Sequence, residues 1–161
     1  MFDFWLDTDS FVRPYREAYR FATVPKFWEF LEQKSKEQVI VSSELVLEEL
    51  TNDKPDELGV WAKQQQGTLF LLPTEAVQQV LGQIVESVNN NKQYADPWIH
   101  AFLGGADPWI IAHAKALDGR VVTFEVSAPD SKRPKIPDVA ARFGVRCINL
   151  WDMLTELKAS F

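Results

Sequence analysis

The sequence is poor in the residues that staple or metallate small secreted domains. It has one cysteine, Cys147, and two histidines, His100 and His113. That excludes a disulfide framework and leaves too few ligands for a zinc cluster. No apolar run approaches the roughly 18 residues a membrane helix needs. The start, Met1-Phe2-Asp3-Phe4, has no basic leader, so no signal peptide is expected. No Gly-x-Gly-x-x-Gly follows the first apolar run, which argues against a nicotinamide-binding Rossmann domain. Positive charge is also scarce: 17 Lys and Arg against 23 Asp and Glu give a net charge of -6. That balance weighs against nucleic-acid binding by bulk charge.

What is there suits a globular domain. The 161 residues are 46% hydrophobic, and a chain of this length buries roughly 70% of its unfolded surface in one core. A single domain over residues 1–161, soluble, reduced and cytoplasmic, is the expectation. Short, nearly continuous apolar runs, some of them β-branched, as in strands covered on both faces, occur at Phe2 to Leu6, Val39 to Val41, Thr68 to Leu72, Val121 to Phe124 and Arg146 to Leu150.

Helical patterns lie between them, and alternation of the two periods marks an α/β domain. Pro25 to Lys36 starts with proline and ends in lysines. Pro55 to Gln66 is closed by Gly67. Thr74 to Val88 carries Val77, Val80, Leu81, Ile84, Val85 and Val88 on one stripe. Pro108 to Leu117 ends at Asp118-Gly119, and Leu150 to Leu157 follows a plausible Asn149 cap. Ala95-Asp96-Pro97-Trp98-Ile99 recurs as Ala106-Asp107-Pro108-Trp109-Ile110, which predicts two helix starts with Asp caps. Ser127 to Asp138, rich in proline, reads as a functional or mobile loop.

In a parallel sheet, ligands gather at the carboxyl ends of the strands. Strand one ends in Asp7-Thr8-Asp9-Ser10. Strand two runs through Ser42-Ser43 into a helix with Glu44, Glu48 and Glu49. With Val46, Leu47 and Leu50 facing the core, Glu49 flanks the buried face and can reach a cleft, whereas Glu48 points to solvent. Asp107 opens the helix before strand four, which ends in Thr123-Phe124-Glu125. Carboxylates from four segments would repel unless a cation sat among them, and all-oxygen sites favour Mg²⁺ or Mn²⁺. The cluster Lys132-Arg133-Pro134-Lys135 could contact phosphates through Lys132, Arg133 and Lys135. His100 and His113 have no serine or cysteine partner nearby in sequence and are read as surface or structural. Cys147 is read as a buried small hydrophobe, and the six tryptophans as packing, with Trp98 or Trp109 available to stack a base.

Together these residues resemble the PIN-domain ribonuclease superfamily, the nuclease fold of the VapC-type toxins, in a poorly characterised branch. The resemblance is carried by Phe4-Trp5-Leu6-Asp7-Thr8-Asp9-Ser10-Phe11, Val41-Ser42-Ser43 with Glu48-Glu49-Leu50, and Gly105-Ala106-Asp107-Pro108-Trp109-Ile110-Ile111-Ala112. Val121-Val122-Thr123-Phe124-Glu125 and Ile136-Pro137-Asp138 complete it. It implies a three-layer α/β/α sandwich around a mostly parallel five-stranded sheet, and a metal-dependent endoribonuclease. By position, Asp7, Glu49 and Asp107 match the family's acidic residues, and Glu125 takes a place usually held by Asn. No Asp follows Glu125 at the usual spacing, so Asp138 is the reserve fourth carboxylate. Asp9 replaces a small polar residue.

The implied mechanism has Asp7 and Asp107 holding Mg²⁺ or Mn²⁺ directly, with Glu49 and Glu125 acting on that ion or a second one through water. The resemblance also implies a homodimer and an antitoxin partner. Two other readings compete. One is a non-catalytic binding module on the same fold. The other is a haloacid-dehalogenase-type phosphatase, for which Asp7-Thr8-Asp9-Ser10 would supply the nucleophile and the acid/base.

Overall fold

The computed structural model describes residues 2–53 and 56–161. Five strands form one sheet in the order β3-β2-β1-β4-β5, and every described pairing is parallel. The strands are shorter than their apolar runs: β1 Phe4–Leu6, β2 Ile40–Ser43, β3 Phe70–Leu71, β4 Arg120–Val122 and β5 Cys147–Ile148. β1 is central, with Trp5 beside Val41 on one side and Val121 on the other. Its residues Phe4, Trp5 and Leu6 are all buried, as two covered faces require.

Helices cover both faces, giving the three-layer sandwich. After β1 come α1 (Asp9–Arg16) and α2 (Pro25–Lys36), then α3 (Glu44–Thr51) and α4 (Glu57–Gln64) after β2. Ring contacts join this layer: Trp61 of α4 meets Phe11 of α1 and Trp28 of α2. Between β3 and β4 run α5 (Glu75–Asn89), α6 (Asp96–Leu103) and α7 (Asp107–Ala116), and α7 lies against β1, β2 and β4 beneath α5. α8 (Ile136–Arg142) precedes β5 and packs on α7, while α9 (Leu150–Glu156) brings Trp151 against Tyr19.

Several expectations are met in detail. The stripe on α5 turns Val77, Ile84 and Val88 fully inward, and the Thr74 hydroxyl caps the helix by accepting from the Val77 N–H. Asn149 caps α9 by accepting from the Asp152 N–H at 2.8 Å. The predicted helix start at Pro55 lies outside the described residues; the described helix begins at Glu57 behind an Asp56 cap. Asp118 takes the left-handed conformation. Gly119 is required for a different reason: a Cβ there would sit 2.8 Å from the Phe2 carbonyl and from the Trp5 ring.

Other expectations are corrected. Asp96 and Asp107 are not caps. Ala95 and Ala106 hold the cap positions, no side chain caps either helix, and each Asp is the first helical residue, followed by proline. The stretch after β1 is helix α1, whose apolar signal is short and interrupted by Pro14. The expected loop to Asp138 gives way to α8 at Ile136, because Pro137 sits in the first turn, where no N–H is needed. Cys147 is only partly buried.

His113 has the structural role read for it. It is buried, stacks on Trp5 at 4.6 Å between centroids, and meets the Ser43 hydroxyl at 3.0 Å. Burial pushes its imidazole down to about 4. The folded chain keeps His113 neutral, and the unfolded chain takes up a proton first as pH falls. The His113 contribution to stability should therefore be lost between about pH 6.5 and 4. Acid titration of unfolding in wild type and His113→Gln checks this: the variant should lack that part of the slope.

Candidate functional site

Strand order reverses between β1 and β4, since β2 and β3 extend one side and β5 the other. The crevice at their carboxyl ends is the natural ligand position of a parallel sheet. Asp7 follows β1 directly and is 4% exposed. Its Oδ1 accepts from the Ser10 N–H at 2.9 Å and meets the Ser10 hydroxyl at 2.7 Å, so it does the capping of α1 that Thr8 does not. The Ser10 hydroxyl is also 3.0 Å from the Val122 carbonyl. The Ser10 hydroxyl donates, and its one proton is shared between the Asp7 carboxylate and that carbonyl. Burial pushes Asp7 up to about 6, against hydrogen bonds from Thr123 and Ser10 that pull it down, while the Asp9 charge adds a small upward push.

α7 runs antiparallel to the strands, so its first residue, Asp107, arrives at the same rim. Burial raises the Asp107 carboxyl most, and the charges of Glu125, Asp7 and Glu49 push it further, up to about 7; Arg133 pulls it down. The sequence candidates are thus brought together around Asp107. Glu49 reaches the rim as expected, although its side chain is exposed: Oε1 accepts from the Thr8 hydroxyl and Oε2 from the Ala106 N–H at 3.1 Å. It ties the first turns of α1 and α7 together. A Cβ at Gly105 would lie 3.1 Å from Glu49 Oε2. Glu48 points to solvent.

Glu125 is half-buried and accepts from the Ile136 N–H at 3.3 Å, which turns it toward the start of α8. Asp138 is committed elsewhere: its carboxylate accepts from the Ser127 hydroxyl at 2.5 Å and the Ala128 N–H at 2.8 Å, closing the loop after β4. Glu125 is among the charges acting on Asp107, whereas Asp138 acts with Asp7 and Glu125 on the Cys147 thiol. Asp9 pairs with Arg13 at 3.0 Å, one turn along α1.

Of the basic cluster, Arg133 is the member whose charge acts on Asp107. Lys132 is exposed and Lys135 half-buried at the start of α8. A cleft of about 250 Å³ beside Glu49 is lined by Leu45, Gly104, Gly105, Ala106 and Trp109 among others. A larger one, about 610 Å³, lies elsewhere, between Tyr19, Trp151 and Phe161.

Sequence reasoning missed Thr8, Ser10 and Thr123 as partners of the carboxylates. The Asp-x-x-Ser spacing of Asp7 and Ser10 was the readable signal, since a cap accepts from the N–H three residues on. The Thr8–Glu49 contact spans 41 positions and left no local trace.

The donor set is all oxygen, which suits a hard divalent cation, and the repulsion raising Asp107 is what such a cation relieves. Among the described residues, no three His, Cys, Asp or Glu side chains stand at distances that would hold one ion together. Gathering them requires the long Glu49 and Glu125 side chains to swing from their backbone N–H partners.

The rim, the strand order and the elements that build them all fall within one recognised family segment. The family model that matches is described as a domain of unknown function, DUF4411, and it covers residues 4–161. No curated protein matches the chain. Because the match runs from the first residue of β1 to the last residue of the sequence, the protein belongs to the DUF4411 family.

Proposed function

We propose that the protein is a metal-dependent endoribonuclease of the PIN-like kind, hydrolysing RNA phosphodiester bonds at the Asp107 rim. The observation that carries this reading is the coupling of Asp107 to Asp7, Glu49 and Glu125, supplied by four separate segments at the reversal point of the sheet. Asp7 and Asp107 would hold Mg²⁺ or Mn²⁺. Glu49 and Glu125 would orient water around it. When bound, the ion supplies Lewis acidity, lowering the pKa of water and stabilising charge on a phosphodiester in line with attack.

The chain's own residues do the rest. Ser10 and Thr123 orient the Asp7 carboxyl. Glu49 fixes the spacing of α1 and α7, and Arg133 offers a positive charge to phosphate beside Asp107. A toxin role, with an antitoxin partner and a homodimer, belongs to the same reading.

The test is cleavage of a labelled single-stranded RNA with Mn²⁺, comparing wild type with folded Asp7→Asn and Asp107→Asn. Each variant should lose at least about a hundredfold in rate, the scale of a lost charge-stabilising group. Equal rates would overturn the mechanism. Metal affinity should also fall with acid, because Asp7 and Asp107 must lose protons that they hold up to about pH 6 and 7. Mn²⁺ titration at pH 8 and pH 6 by calorimetry reads this directly.

The non-catalytic module is the second reading. It is favoured by the absence, among the described residues, of three carboxylates at ion-holding distances. No Mn²⁺ binding at millimolar concentration would select it.

A further inference from the structure

The loop after β4, expected to be functional or mobile, is pinned against the segment joining α5 to α6. The Gln93 amide donates to the carbonyls of Pro129 and Ser131, the latter at 2.8 Å. The Ala95 N–H donates to the Lys132 carbonyl at 2.9 Å, and the Arg133 N–H to the Ser131 hydroxyl at 3.1 Å. Pro134 is buried, and Asp138 closes the far side of the loop.

These bonds set Arg133 on Trp98 of α6. The guanidinium lies 4.3 Å from the ring centroid, yet both side chains are exposed, Trp98 by 42%. An indole this exposed leaves part of its ring open to solvent, and a guanidinium held over it adds a planar cation to the same surface. The same Arg133 charge reaches Asp107. The same loop runs on to Ile136, whose N–H donates to Glu125 of the rim at 3.3 Å, so the surface borders that rim and supplies positive charge on a chain with a net charge of -6.

We infer that Trp98 and Arg133 form a stacking platform for an unpaired nucleobase of single-stranded RNA, next to the phosphate that enters the rim; this rests on the ribonuclease reading above. Bases splayed from single strands stack on aromatic rings and guanidinium planes, whereas bases inside an A-form helix offer no free face. The platform would thus select unpaired RNA and set which phosphate reaches Asp107.

The test is binding of a labelled single-stranded oligoribonucleotide in EDTA, where cleavage cannot interfere, with inorganic polyphosphate as a base-free polyanion. Trp98→Ala should weaken RNA binding about tenfold, the usual scale of one lost base–aromatic contact. It should leave polyphosphate affinity and the salt slope of RNA binding unchanged. Trp98→Phe should restore most of the loss. An oligonucleotide scanned with a single abasic site should bind wild type more weakly at one position, and that position should stop mattering in Trp98→Ala.

Equal RNA affinity in wild type and Trp98→Ala overturns the platform. So does an equal loss for RNA and polyphosphate, which would make Trp98 only a support for the Arg133 charge. Neither result touches the ribonuclease reading. That reading, and the platform with it, falls if wild type neither binds RNA in EDTA nor cleaves it with Mn²⁺.

Discussion

Asp107→Asn should make the metal-free protein more stable at pH 8 while abolishing Mn²⁺-dependent RNA cleavage. The Asp107 carboxyl is held up to about 7 by burial and by Glu125, Asp7 and Glu49, whereas in the unfolded chain it titrates near 4. The folded state therefore favours the protonated form. That contribution is fully present below about pH 4 and declines as pH rises to about 7, above which the folded protein carries the cost of ionising Asp107.

Asparagine mimics the protonated carboxyl and escapes the cost. After allowance for solvent screening and for Arg133, the gain at pH 8 should be about 1–3 kcal/mol. At pH 4 the two proteins should unfold alike. Mn²⁺ should reverse the order, because it stabilises the folded wild type by mass action and has less to bind in the variant. Urea unfolding at pH 4 and pH 8, with and without Mn²⁺, gives all four values. A variant less stable than wild type at pH 8 without metal would show that Asp107 is a structural carboxylate and not a strained one.

Trp28→Ala should cost about 3–5 kcal/mol out of the 5–15 kcal/mol typical of a domain. Trp28 is 2% exposed and sits among four rings. Phe21 stacks on it at 4.3 Å, Trp61 and Phe27 meet it edge-on at 4.8 and 4.9 Å, and Tyr15 lies at 6.5 Å. Its indole N–H donates to the Tyr19 carbonyl at 2.7 Å. Removal leaves a cavity between α1, α2 and α4 and an acceptor without its donor.

Trp5 provides the contrast. It is fully buried on the central strand, and its indole N–H has no hydrogen-bond partner among the described residues. Trp5→Phe removes an orphaned donor along with some packing, so the two changes offset and the net cost should stay within about 1.5 kcal/mol. Trp28→Phe should cost distinctly more than Trp5→Phe in denaturant unfolding. Equal costs would mean that the Trp28 hydrogen bond contributes nothing.

The charge balance weighed against nucleic acid acquires a place in the structure. Part of the negative excess is concentrated around Asp107, where it repels itself, and Arg133 is set beside it. Under the proposed reading the grip on RNA is local, so neutralising Lys132, Arg133 and Lys135 should lower the salt slope of RNA binding by at most about 2 units.

The sequence by itself determined the fold class and most of its elements. Continuous apolar runs and helical stripes are local signals: β1 is apolar because both of its faces are covered, and α5 carries a stripe because one of its faces packs on α7. It also supplied Asp7, Glu49, Asp107 and Glu125 as candidates, because each stands after a strand, on the flank of a helix or at a helix start. It misread what local chemistry alone makes ambiguous. Proline in the first turn of α8 looks the same as proline in a loop, and an Asp before proline looks like a cap.

Only the tertiary structure decided which carboxylates stand at the same end of the sheet. Asp107 reaches the rim because α7 runs back beneath α5 against β1 and β4, and Glu49 because Thr8 and the Ala106 N–H hold it from 41 and 57 positions away. Bonds within its own loop hold Asp138 on Ser127 and Ala128, and bonds across to Gln93 and Ala95 accompany the placing of Arg133 over Trp98. Electrostatic coupling depends on distance through space, and distance through space between remote segments is set by packing.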